Sequence, residues 1–143
     1  MIERKLYKSR AGGYGLKYPP DWEIEEGNEC VTIYDPRKGL GALQASAYRT
    51  PTPQNPKDVL LEYLSDNDVP IEEKEIILHK TNGKTMASYE YIEGPWYKKV
   101  WFISQDSCLL LVTYNCKVEH KKEEEIDKVE EIVHSIIVTT GGQ

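Results

Sequence analysis

A chain of 143 residues with 39% hydrophobic and 29% charged side chains is too apolar for a disordered polymer and too polar for a membrane-embedded one. Its length suits one core, burying roughly 68–70% of the unfolded surface, which predicts a single domain over residues 1–143. The net charge of −6 argues against nucleic acid as a partner, because phosphate neutralisation needs clustered Lys and Arg. It fits a solvated surface or a basic partner.

Met1-Ile2-Glu3-Arg4-Lys5 is not followed by the run of roughly 7–15 apolar residues that marks a signal peptide. The longest unbroken apolar run, Cys108 to Val112, falls far short of the ~20 residues of a spanning helix. The expectation is a cytoplasmic protein with no membrane contact, although a chain trimmed of a leader would read the same.

The first half carries short extended runs: Lys5 to Lys8, Gly15 to Tyr18, Trp22 to Glu25, Cys30 to Tyr34 and Ala42 to Tyr48. Gly12-Gly13, Pro19-Pro20-Asp21, Gly27-Asn28 and Asp35-Pro36 punctuate them. The Pro-rich stretch Thr50 to Pro56 reads as a loop leading into a helix, with Asn55 as N-cap, Pro56 at the first helical position and Asp58 near the positive end of the dipole. The stripe Val59, Leu60, Tyr63, Leu64 faces a sheet, and Ser65-Asp66-Asn67-Asp68 ends the helix.

Four longer runs follow, Ile71 to Lys80, Lys84 to Ile92, Trp96 to Gln105 and Cys108 to Asn115. Their connections (Asn82-Gly83, Glu93-Gly94-Pro95, Gln105-Asp106-Ser107) are too short for parallel crossovers, so the runs form an antiparallel meander. Ala87, Tyr89 and Tyr91 alternate with Ser88 and Glu90, whereas Leu109 to Val112 is apolar on both faces and predicts a central strand covered on both sides. A second helix runs from about His120 to Ser135, with Ile126, Val129, Ile132, Val133 and Ile136 on one face. Glu123, Glu124 and Glu125 suit its positive end. The predicted fold class is α/β of the α+β type, a largely antiparallel twisted sheet flanked by two amphipathic helices.

Gly15-Leu16-Lys17-Tyr18-Pro19-Pro20-Asp21-Trp22-Glu23-Ile24 resembles the opening of PsbP-like domains, whose first hairpin carries a Tyr-Pro-x-x-Trp signature. Pro19 has no N–H with which to continue a ladder, Tyr18 is held extended before it, and Trp22 returns its ring to the core. The closing Ser135-Ile136-Ile137-Val138 is similar too, as is the element order. The resemblance implies a small α/β sandwich, a fold shared with a Ran-binding nuclear import factor and with a bacterial branch of proteins. It also implies binding or assembly without a catalytic centre, and it carries over no partner-contact residues.

Signals for chemistry are thin. His79, His120 and His134 belong to no HExxH or CxxC array and read as surface histidines; the Glu130–His134 pair at i, i+4 is common on exposed helices. Cys30, Cys108 and Cys116 match no zinc pattern and read as reduced structural thiols. Gly39-Leu40-Gly41 and Gly12 to Gly15 lack the Lys and hydroxyl residue of a phosphate loop, and adjacent Glu72 and Glu73 point to opposite faces of a strand. The reading is therefore not an enzyme, with no cofactor and no metal.

Ten tyrosines and three tryptophans stand against one phenylalanine. Tyr89, Tyr91, Trp96, Tyr97 and Trp101 flank the Gly94-Pro95 turn and form the candidate binding site, because rings with polar tips suit half-buried interfaces. Their pairing across strands within the sheet is the competing structural role. The sequence thus points to a protein-interaction or assembly module with an unknown protein partner. Two alternatives stand beside it: a small-ligand carrier with a pocket between sheet and helix, and an immunity protein against a basic toxin.

Overall fold

The structure, a computed structural model, describes residues 4–10, 13–38, 40–81 and 83–138. Strands β1 (Lys5–Lys8) and β2 (Tyr14–Tyr18) form a hairpin whose second strand also pairs with the short β10 (Ile137–Val138), giving a small sheet in the order β1-β2-β10. The other strands are β3 (Glu23–Glu26), β4 (Val31–Tyr34), β5 (Gly41–Arg49), β6 (Ile77–Thr81), β7 (Lys84–Glu93), β8 (Trp96–Gln105) and β9 (Cys108–Lys117). They make a seven-stranded sheet in the order β3-β4-β5-β9-β8-β7-β6, and every pairing in both sheets is antiparallel. The apolar strand β9 lies at its centre.

Helix α1 (Pro56–Asp66) joins β5 to the far edge of the large sheet. The Asn55 side chain accepts from the N–H groups of Lys57 and Asp58, and Pro56 occupies the first turn, where no intrahelical donor is missed. Its end is a Schellman motif: the Val69 N–H donates to the Leu64 carbonyl at 2.9 Å, the Asp68 N–H to that of Ser65 at 3.1 Å, and Asp68 takes a left-handed φ of +57°. Helix α2 (Glu123–His134) begins three residues later than its apolar period predicts, because Val118–His120 forms a separate 3-10 turn.

Of the expected turn residues, Gly12 and Asn82 lie outside the described residues, as does Gly39 of the Gly39-Leu40-Gly41 stretch. Gly94 (φ +59°) followed by Pro95 closes a two-residue hairpin in which Glu93 pairs with Trp96; a positive φ and then a fixed negative one is what a type II′ turn needs. One boundary differs substantially. The expected strand from Ile71 starts only at Ile77, and Glu73–Glu75 is a 3-10 turn. A side chain replaces the missing ladder there: the Glu72 N–H donates to the Tyr89 hydroxyl at 3.0 Å, and that hydroxyl donates to the Pro70 carbonyl at 3.1 Å.

The pairing register sorts the strand residues onto two faces. The inner face carries Ile33, Leu43, Ala45, Tyr97, Trp101, Ile103, Leu110, Val112 and Tyr114, packed with Tyr14, Leu16 and Val138 of the small sheet and Val129, Ile132 and Val133 of α2. Trp22 returns to this core, 3% exposed, and its indole N–H is the one buried side-chain polar atom left unpartnered among the described residues. The outer face carries Ala87, Tyr89, Val100, Phe102 and Leu109, covered by Leu60 and Leu64 of α1.

Candidate functional site

Register separates the five candidate aromatics. Tyr89, Tyr91 and Trp96 stand on the outer face, whereas Tyr97 and Trp101 stand on the inner one. Tyr89 (6% exposed), Tyr97 (3%) and Trp101 (1%) are core residues. Tyr97 donates from its hydroxyl to Glu90 at 2.5 Å, and the Lys99 ammonium lies 5.3 Å from the Trp101 ring centroid while also pairing with Glu130 of α2. Burial, and then the Glu90 hydrogen bond, push the Tyr97 phenol far above its ordinary range. Trp96 alone of the five is exposed, at 41%, with Tyr91 half-buried beside it.

Trp96 and Tyr91 belong to a bare half-face. Helix α1 has 11 residues, a length of about 16 Å at ~1.5 Å per residue, and it packs on β7 and β8. The sheet has seven strands, so their axes span about 29 Å at ~4.8 Å between neighbours. Beyond the helix the outer side chains turn polar: Thr113, Asn115 and Lys117 on β9, Gln44 on β5 and Thr32 on β4, with Gln44 donating to Thr32 at 3.3 Å. Lys98 is paired with Glu93 at 2.7 Å. A cleft of about 240 Å³ opens where the end of α1 (Tyr63, Asn67) meets Tyr91, Lys98 and Asn115. Burial, with Tyr63 and Glu93 nearby, pushes the Tyr91 phenol up to about 12.

A larger cleft of about 1000 Å³ lies elsewhere, at the end of the sandwich where the small sheet stops short of β5. A ligand pocket between sheet and helix was one of the alternatives; the smaller cleft lies there, and the larger one lies between the two sheets. Tyr7, Tyr14, the β3–β4 turn, Tyr48, Arg49 and Cys108 line it. These residues come from four separate stretches, and no local pattern joins them. The only sequence signal is an Arg at the end of an alternating strand.

His79 and His134, far apart in sequence, meet edge to face with ring centroids 5.2 Å apart. His79 is hydrogen-bonded to the Thr81 hydroxyl at 2.9 Å, and His134 lies 3.5 Å from Glu130. Surface positions were expected and both residues are exposed; β6 and the last turn of α2 bring the two together. No group of three or more His, Cys, Asp or Glu side chains is arranged to hold a metal among the described residues. All three cysteines are free, and burial pushes the Cys108 and Cys116 thiols up, away from nucleophilic thiolate.

A family model described as "Domain of unknown function (DUF3805)" matches residues 2–143. No curated protein sequence matches the chain. Among solved structures, a Bacteroides thetaiotaomicron crystal structure superposes with a TM-score of 0.71 at 18% identity, covering 100% of this chain and 51% of that one, so the chain spans about half its length. The solution structure of cyanobacterial PsbP (CyanoP) from Synechocystis gives 0.68 at 14% identity, covering 97% and 94% of the two chains. The Saccharomyces cerevisiae Ran-binding protein Mog1p gives 0.62 at 12% identity, covering 96% of each. At these identities the likeness establishes the fold, which is PsbP-like. No helix among the described residues is long and apolar enough to cross a membrane.

Proposed function

The chain belongs to the DUF3805 family, and we propose that it is a non-catalytic protein-interaction or assembly module. In this reading it works as one cytoplasmic domain and docks a protein partner on the bare half of the outer sheet face. The observation that carries this reading is the uncovered polar half-face, with Trp96 41% exposed at its margin. A folded sheet face that no helix covers, carrying an exposed indole, a half-buried tyrosine and a lysine, has the composition of an interface centre with a polar rim. A neighbour of the same fold is named for binding the protein Ran, which supports a protein partner for this chain as well. Of the sequence candidates, Trp96 and Tyr91 remain contact residues, while Tyr89 is buried on the same face and Tyr97 and Trp101 hold the sheet behind them.

Affinity capture from a native cell extract with the full chain, Trp96→Ala and Lys98→Glu tests it. A protein retained by the wild type and lost from both variants is the expected result. Identical captures from all three chains would overturn the reading.

A further inference from the structure

We propose that the cleft between the two sheets binds a small organic monoanion, a carboxylate on an apolar body, with Arg49 pairing the carboxylate and the Tyr14 hydroxyl donating to it. The cleft's volume of about 1000 Å³ lies at the upper end of the ~300–1,000 Å³ of small-molecule sites. Its floor is apolar: Val31 is 2% exposed and Cys108 7%, with the tilted Tyr7–Tyr14 ring pair, centroids 6.2 Å apart, beside them.

Two polar groups line the cleft without a hydrogen-bond or ion-pair partner for their side chains among the described residues. Tyr14 is 5% exposed, and its hydroxyl makes no hydrogen bond among the described residues, although Tyr7, Cys30 and Glu26, its nearest titratable neighbours, all line the cleft. Burial pushes its phenol well above the ordinary range, so it stays a protonated donor at neutral pH. The ring is buried while the hydroxyl borders the cleft, where a ligand oxygen can replace water as its acceptor.

Arg49 pairs in register with Cys108 of the inner core, which sets its side chain on the inner face, toward the cleft it lines. No carboxylate pairs with it among the described residues. Glu26, by contrast, is already engaged by Arg10 at 3.6 Å and by the Tyr7 hydroxyl at 2.8 Å. Glu29 and Asp106, both exposed, also line the cleft. With Arg10 and Glu26 paired to each other, Arg49 is the attractive charge of the lining, and Glu29 and Asp106 repel a phosphate dianion more strongly than a monoanion.

The test is an NMR titration of the full chain with 2-naphthoate, 2-naphthamide and 2-naphthyl phosphate, three molecules with the same apolar body. The acid is expected to shift cleft resonances such as Gly13, Cys30 and Ser107 saturably, and to bind at least about tenfold tighter than the amide, the worth of a hydrogen bond to a charged group. The phosphate is expected to bind more weakly than the acid. Arg49→Gln, a change at an exposed side chain, removes the acid's advantage. Tyr14→Phe, which keeps the ring in the core, weakens acid and amide together. Equal affinity for acid and amide, acid binding unchanged in Arg49→Gln, or no saturable shift in the cleft would each overturn the proposal. Because Trp96 does not line this cleft, Trp96→Ala is expected to leave the titration unchanged, and its outcome is separate from that of the outer-face docking reading.

Discussion

The two faces of the seven-stranded sheet are built from the same strands and finished differently. On the inner face most rows meet the small sheet or α2, and two buried polar groups reach partners on α2: Tyr114 donates to Glu125, and Lys99 pairs with Glu130. Glu125 is only 5% exposed, and a Cβ on Gly41 would come within 2.5 Å of the Tyr114 hydroxyl, so the strand backbone itself yields space to this buried pair. On the outer face one short helix covers half the rows and leaves the rest to water. Individual strands record where the cover ends. Along β9 the outer positions run Leu109, Leu111, then Thr113, Asn115, Lys117, while the inner ones stay Leu110, Val112, Tyr114, Cys116. Strand β8 repeats the change in reverse, with Trp96 and Lys98 bare and Val100 and Phe102 covered. The difference teaches that an uncovered face is written into the alternation as a change in one parity only.

The sharpest way to break this contrast is to remove a large side chain from the closed face. Trp101→Ala is expected to lower stability by about 3–5 kcal/mol, because the loss of a fully buried ring adds a cavity to the lost transfer energy. Urea unfolding followed by circular dichroism measures it, and a loss under about 1 kcal/mol would mean that the inner face collapses around the gap.

Alkaline pH probes the same face by titration. Tyr14, Tyr97 and Tyr114 all have phenols raised above the ordinary value of 10.0, by burial first and then, for Tyr97 and Tyr114, by hydrogen bonds to carboxylates. A tyrosine gains charge when it loses its proton, and the folded chain holds these protons after the unfolded chain has released them. Their contribution is therefore complete below pH 10 and falls as pH rises past it, by about 1.4 kcal/mol per pH unit for each of the three. Tyr97→Phe flattens the slope by one such share. A slope unchanged in that variant would place the alkaline loss elsewhere.

Tyr89→Phe sits between the extremes. Its hydroxyl holds the segment before β6 by two hydrogen bonds, so its loss is expected to cost about 1–2 kcal/mol. Hydrogen exchange at Glu72 reads the local part of that loss. Exchange there as slow as in the wild type would show that the 3-10 turn holds the segment without the tyrosine.

Much of this architecture was legible because local chemistry and tertiary demand agree. Asn55-Pro56 caps a helix in any context, Gly94-Pro95 makes a tight hairpin, and the doubly apolar stretch of β9 finds cover on both sides. The segment from Ile71 misled because its apolar ends and charged middle match an extended run, and nothing nearby reveals that a tyrosine hydroxyl on β7 replaces the ladder. Site geometry was harder to read for the same reason. Tyr97 and Trp101 look amphipathic along the chain, yet their polar companions, Glu90 across a hairpin and Lys99 over the indole, are fixed only by pairing register. The cleft around Arg49 and the His79–His134 contact join elements distant in sequence, beyond the reach of any periodicity.

The smallest expected effect on stability is the one that separates the faces most cleanly. Trp96 and Trp101 share β8, five residues apart, and opposite parity leaves one 41% exposed and puts the other in the core. Trp96→Ala is expected to change stability by no more than about 1 kcal/mol, since Trp96 lies outside both core clusters, while binding on the outer face weakens sharply, as truncation of an aromatic anchor does. Equilibrium unfolding and the capture experiment on one preparation supply both numbers. A loss of stability comparable to that of Trp101→Ala would mean that the margin of the bare half-face is part of the core, and the contrast between the two faces would fail at the residue chosen to show it.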